Sequence, residues 1–200
     1  MKRVRDILPL LVILAGLLVL LYPTISNFLI EQNASRAIAS YVATVVDMSQ
    51  EDRERMLADA HAYNDALAAS SGAGTPASEG GEPAQVGETL AYEDLLNLNG
   101  DGMMGYIIIP KMNVELPIYH TVEERVLQVG VGHMESSSLP VGGESTHAAL
   151  SGHRGLPSAK LFTDLDQMEV GDQFYIKVLG ETLAYEVHEV EPVLPTETES

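Results

Sequence analysis

The run "ILPLLVILAGLLVLLY", residues 7 to 22, carries no charge, and the uncharged stretch continues through Ile30. No other feature limits what this chain can fold into so strongly, because a small domain cannot bury so long a run along one helix. As a helix it is long enough to cross the ~30 Å hydrocarbon core of a bilayer, with Pro9 and Pro23 tolerated near its ends. Lys2, Arg3 and Arg5 precede the run, and only Arg36 follows it closely. That asymmetry predicts a cytoplasmic tail over residues 1 to 6, a transmembrane anchor over 7 to 30, and everything later outside the cell membrane. A cleaved signal peptide is the competing reading, since Thr24, Ile25 and Ser26 have small-x-small spacing. The length of the run favours the uncleaved anchor.

Beyond the anchor, 200 residues leave room for one ordinary domain and some extra elements. With 29 acidic against 11 basic residues the net charge is −18. Such a chain repels phosphate backbones, which excludes nucleic acid as a partner. The chain has no cysteine, so disulfides, thiolate metal sites and cysteine nucleophiles are absent from these residues.

Ala34, Ala37, Ile38, Tyr41, Val42, Val45 and Val46 follow a three-four spacing that makes one apolar helical face. "DMSQED" breaks it, and Ser49 with Asp52 reads as a capping box for a second helix bearing Met56, Ala60, Tyr63 and Leu67 on one side. Residues 31 to 69 are therefore expected to form a helical hairpin next to the membrane. Residues 70 to 89 are small, polar and rich in Gly and Pro, which predicts a flexible linker or lid.

From residue 90 onward the pattern is one of strands. "MGYIIIP" and "NVELPIYH" predict a pair of short strands, "VEERVLQVGVGHME" a helical turn, "THAALSGH" a buried strand and "SAKLFTDLDQM" a short helix. "DQFYIKVL" and "TLAYEVHEVEPV" predict a hairpin across Gly180 and Glu181. Short strands with little helix between them point to a mainly β barrel or sandwich.

The candidate sites are few. Asn97, Asn99, Asp101 and Gly102 match the opening of a calcium loop, but its twelfth position is Ile108, where a bidentate Glu is needed. A turn entering a strand is the better reading. His120, His133, His147 and His153 lack metal-binding spacing. Ser151 and His153 share a strand face at i and i+2, yet no Gly-x-Ser-x-Gly elbow surrounds the serine. His153 stands out because the apolar run before it delivers its ring to a rim where Gly155, Leu156 and Pro157 turn the chain.

The segments "MGYIIIPKMNVELPIYH", "VLQVGVGHMESSSLPVGGESTHAALSGHRGLPSAKLFTDLDQMEVGDQFYIKV" and "YEVHEVEPVLPTETES" resemble the class C sortases, the pilus-assembling transpeptidases of Gram-positive bacteria. Ser-Gly-His, Gly-Leu-Pro and Lys-Leu-Phe-Thr-Asp-Leu occur together and in the family's order, so residues 90 to 200 are read as the sortase catalytic domain. The resemblance implies a sortase-like β-barrel, incomplete at the C-terminus, preceded by the transmembrane helix and the α-helical hairpin. It places His153 at the catalytic histidine position of a cysteine transpeptidase of the peptidase type. A thiolate attacks the Thr-Gly bond of a Leu-Pro-x-Thr-Gly sorting signal, the histidine protonates the departing amine, and an arginine stabilises the oxyanion.

The family's cysteine and arginine follow a segment like "VLPTETES", so the chain is read as the N-terminal portion, expected to be inactive alone. Arg154, adjacent to His153, points to the opposite face of an extended strand and is no substitute. The Asp-Pro-aromatic lid motif frequent in the class is absent from the sequence. The implied partners are pilin or surface proteins with such sorting signals, together with the membrane; no cofactor and no metal is implied. The alternative is a non-catalytic membrane-tethered β-module that binds sorting-signal peptides or scaffolds pilus assembly.

Overall fold

The structure, a computed structural model, describes residues 2 to 70 and 91 to 193, with side chains from Pro9 onward. The linker or lid region and the last residues, 194 to 200, lie outside the described residues.

Helix α1 (Lys2–Asp47) carries both the apolar run and the first amphipathic face without interruption. Its N-terminal part is long and apolar enough to cross a membrane. Pro9 and Pro23 both lie inside it. The expected break comes at Met48 and Ser49, after which α2 (Gln50–Ser70) begins. The cap forms as the sequence indicates, for the Asp52 backbone N–H donates to Ser49 Oγ at 3.0 Å. The return leg differs from a standard box, since the Asp52 carboxylate accepts the Ser49 hydroxyl at 2.7 Å. Arg53 secures the turn from the other side by donating to the Val45 carbonyl at 3.0 Å.

Six strands form one sheet in the order β4-β3-β2-β1-β5-β6, and it curls as a half-barrel. Strands β1 (Met103–Ile109) and β2 (Val114–His120) are antiparallel, with a bulge between Met103 and Gly105. Strand β3 (Val131–His133) runs parallel to β2 after the short helix α3 (Glu124–Leu127), and β4 (Leu150–Ser151) closes that edge. Pro117 is accommodated inside β2 because β3 begins pairing only at Ile118, so no ladder bond is asked of the missing N–H on that side. On the other side β5 (Gln173–Val178) and β6 (Glu181–Glu186) make the hairpin. Its turn is Leu179 and Gly180, one residue earlier than the sequence reading. Both have positive φ, 48° and 84°, as a two-residue hairpin turn of this hand requires.

The two faces of the sheet hold separate apolar clusters. Ile38, Tyr41 and Val45 of α1 pack on Met103, with Tyr106 and Tyr119 alongside. The other face carries the main core, including Met104, Ile107, Ile109, Ile118, Val131 and Ile176, and receives Ala60 and Tyr63 from α2. Polar side chains join the layers. The buried Tyr41 hydroxyl donates to the Met104 carbonyl and accepts from the Leu179 N–H, both at 2.9 Å. Burial pushes the Tyr41 phenol up to about 12, so it stays a donor across the physiological range. Asn64 of α2 pairs with both backbone groups of Leu139, at 2.7 and 3.1 Å, as a strand neighbour would.

Two expectations fail locally. "THAALSGH" pairs as a strand only at Leu150 and Ser151, which are half-buried. Upstream its carbonyls still accept backbone N–H groups, Ala149 from Met134 and His147 from Ser138, but its N–H groups go to serines: Ser138 Oγ accepts the His147 N–H and Ser137 Oγ accepts the Ala149 N–H. "SAKLFTDLDQM" forms turns and one 3-10 turn, Leu165–Gln167, rather than a helix. Leu161 has φ of 38°, which breaks a right-handed helix.

Candidate active site

His153 lies two residues beyond β4, and its side chain is 32% exposed. Three local features place it. Gly152 allows the backbone to approach the Phe162 ring so closely that a Cβ there would sit 2.6 Å from it. The Phe162 N–H donates to the His153 carbonyl at 3.2 Å, and the Gly155 N–H donates to Thr163 Oγ1 at 3.3 Å. The chain after the histidine is thereby folded back beneath it.

The ring meets Glu124, at the first position of α3. Nε2 of His153 lies 3.3 Å from each carboxylate oxygen. The contact exists because β3 directly follows α3 and pairs with β4 in the register Gly132 to Ser151. The Glu124 carboxyl is held below the usual carboxylate range, first by the hydrogen bond from Gln128 and then by His153. A carboxylate here fixes the ring's orientation and favours a hydrogen on the nitrogen facing it. Sequence reasoning missed Glu124, which sits 29 positions from its partner with no periodic signal joining them. Arg154 is engaged by Asp166 at 3.0 Å.

Beside this rim the concave face of the sheet opens into an apolar groove of about 900 Å³. Leu150, Phe162, Ile107, Ile176, Leu183 and Tyr185 are among the residues that line it. Ile107, Ile109, Phe162 and Ile176 belong to the main core, so the groove is the open side of that core.

The other histidines do different work. His133 is fully buried, accepting from the Tyr92 hydroxyl at Nδ1 and donating from Nε2 to the Ser138 carbonyl, each at 2.8 Å. Burial holds it neutral, with a pKa pushed down to about 4. His120 sits between the carbonyls of Gly102 and Leu95, 2.9 Å from each. His147 is exposed. Among the described residues no group of three or more His, Asp or Glu side chains is arranged to hold a metal ion. The calcium-like segment is a turn: Asn97 Oδ1 accepts the Gly102 N–H, and Asp101 Oδ1 accepts the Met103 N–H.

This fold has known counterparts. The sortase domain family model matches residues 107 to 200. Sortase C1 from Streptococcus agalactiae is similar at 43% identity with a TM-score of 0.70, covering 81% of this chain and 80% of that one. Sortase C from Streptococcus pneumoniae is similar at 36% identity with a TM-score of 0.65, covering 82% and 79%. Sortase D of Bacillus subtilis (strain 168) is 35% identical over 83 residues, covering 42% of this chain and 39% of that protein. The chain therefore spans well under half of the curated relative it matches. It belongs to the sortase family, and its structural relatives are class C sortases.

Proposed function

We propose that the complete protein is a membrane-anchored class C sortase that cleaves Leu-Pro-x-Thr-Gly-type sorting signals and joins pilin subunits through a cysteine thioester. The observation that carries this reading is the partly exposed His153 held against Glu124 just beyond β4, and the reading gives His153 the role of the family's catalytic histidine. The reading assigns the cysteine and arginine to strands that follow the residues described here.

The steps balance as acyl transfer. The thiolate sulfur bonds to the Thr carbonyl carbon, the Thr-Gly bond breaks, and His153 delivers its proton to the departing glycine amine. A lysine amine of a second subunit then attacks the thioester. An isopeptide bond forms and the thiol is released. On this reading the following strands pair along the open apolar face of the sheet and bring the cysteine and arginine to the rim where His153 stands. The N-terminal part of α1 supports an anchoring role, with the sheet on the outer side of the membrane.

The test is to incubate the complete protein with a Leu-Pro-x-Thr-Gly peptide and a second peptide offering a lysine amine. The reading expects a branched product joined through the Thr carbonyl. A groove that binds the first peptide while neither cleavage nor joining occurs would favour a non-catalytic module.

A further inference from the structure

The position at which α1 first touches the sheet domain sets how high that domain stands above a membrane. From Leu10 to Leu29 the large apolar side chains of α1 are exposed, and contact with the sheet domain begins within that stretch, at Ser26 and Asn27. The helix rises ~30 Å from Ile7 to Ser26, which is the thickness of a bilayer's hydrocarbon core. The first charged residue after that stretch is Glu31. Tyr22, 57% exposed, stands one turn below the first contact, a placement favoured for tyrosine at a membrane interface.

What meets α1 at that level is the turn that follows His153. Asn27 Oδ1 accepts the Lys160 N–H at 2.7 Å, while Asn27 Nδ2 donates to Glu31 at 2.8 Å. Pro110 and Asn113, in the β1–β2 connection, line the same crevice beside Asn27. The opposite end of the sheet lies far along the helix: the β5–β6 turn at Gly180 approaches Val45, ~27 Å from Asn27 along the axis. The charges on the turn are internally paired, Lys160 with Asp164 at 2.8 Å and Arg154 with Asp166 at 3.0 Å. A surface of that kind lies against neutral lipid headgroups without a demand for anionic lipid.

We infer that the tip of this turn, at Pro157 and Ser158, rests on the lipid headgroup layer, held there by the Asn27 to Lys160 hydrogen bond, so that the anchor helix fixes the height of His153 above the bilayer. The inference rests on the reading of α1 as a membrane anchor. A single cysteine is placed at Pro157 or Ser158 in the turn, at Tyr22 on the anchor, or at Glu181 at the far end of the sheet. Each variant is labelled with an environment-sensitive fluorophore and reconstituted as the full chain in phosphatidylcholine nanodiscs, with unsubstituted protein as the labelling control. Lipid carrying a nitroxide on its headgroup is then added. The expected result is loss of emission at Tyr22, Pro157 and Ser158, with Glu181 unaffected.

Quenching at Tyr22 with none at Pro157 or Ser158 would overturn the inference and leave the anchor standing. Shielding of Pro157 and Ser158 from aqueous iodide without lipid quenching would assign the turn to a second copy of the chain, and would also overturn it. No quenching at any site, Tyr22 included, would overturn the anchor reading itself.

Discussion

Two histidines of similar sequence appearance serve opposite ends, and burial decides which. His133 is sealed with its hydrogen on Nε2, so its contribution to stability depends on pH. Its folded pKa, about 4, lies below the 6.5 of a free histidine. Between these values the unfolded chain binds the proton and the folded chain does not. Stability is therefore full above about pH 6.5 and declines as pH falls toward 4, by about 3 kcal/mol over the whole window. Urea midpoints measured between pH 7.5 and 5.5 should fall on acidification, and His133→Gln should flatten that slope. A slope unchanged in the variant would assign it to other groups. At the rim, Glu124→Gln keeps a polar side chain but removes the charge that orients His153. In the complete enzyme we expect kcat for peptide cleavage to drop about tenfold with KM little changed, an effect on transition-state rather than ground-state binding. Loss confined to KM would place Glu124 in substrate binding instead. The placement of His153 between a strand and a turn was legible in the sequence because its run and turn are contiguous. Glu124 was not, because it reaches the site only through β3, whose pairing no local pattern announces.

Single polar side chains hold the elements together. Tyr41 ties α1 to β1 and to the β5–β6 turn through two buried backbone groups. Tyr41→Phe would leave the Met104 carbonyl and the Leu179 N–H without a partner, which costs about 2 kcal/mol. The urea midpoint should fall accordingly with its m-value preserved; an unchanged midpoint would mean water replaces the hydroxyl. The helices were readable because their apolar spacing, the Ser49 cap and the break at Met48 are short-range signals. The β1–β2 and β5–β6 pairs were readable from alternation and turn residues. The segment from Thr146 to Gln167 was misread at both ends. Ser137 and Ser138 take the N–H groups of His147 and Ala149 and so interrupt a regular ladder in its first half, and the left-handed Leu161 stops a helix in its second. Both causes depend on residues or dihedrals set by tertiary contacts.

On the scale of the whole molecule, the chain joins a helix able to cross a membrane to a curled sheet with His153 just beyond its edge strand. The sheet is clasped from both faces, by α1 on one and α2 on the other, so the hairpin of helices is part of the folded domain. The order of its motifs, rather than composition, carried the resemblance to sortases, and the shape of the sheet agrees with it. The account's central claim is that His153 carries the proton in transpeptidation. The most direct measurement is cleavage of a Leu-Pro-x-Thr-Gly peptide by the complete protein and by its His153→Ala variant, with thermal unfolding of both followed in parallel. The account predicts a rate loss of about a hundredfold or more at an unchanged unfolding temperature. Cleavage at near the original rate by the folded variant would contradict it.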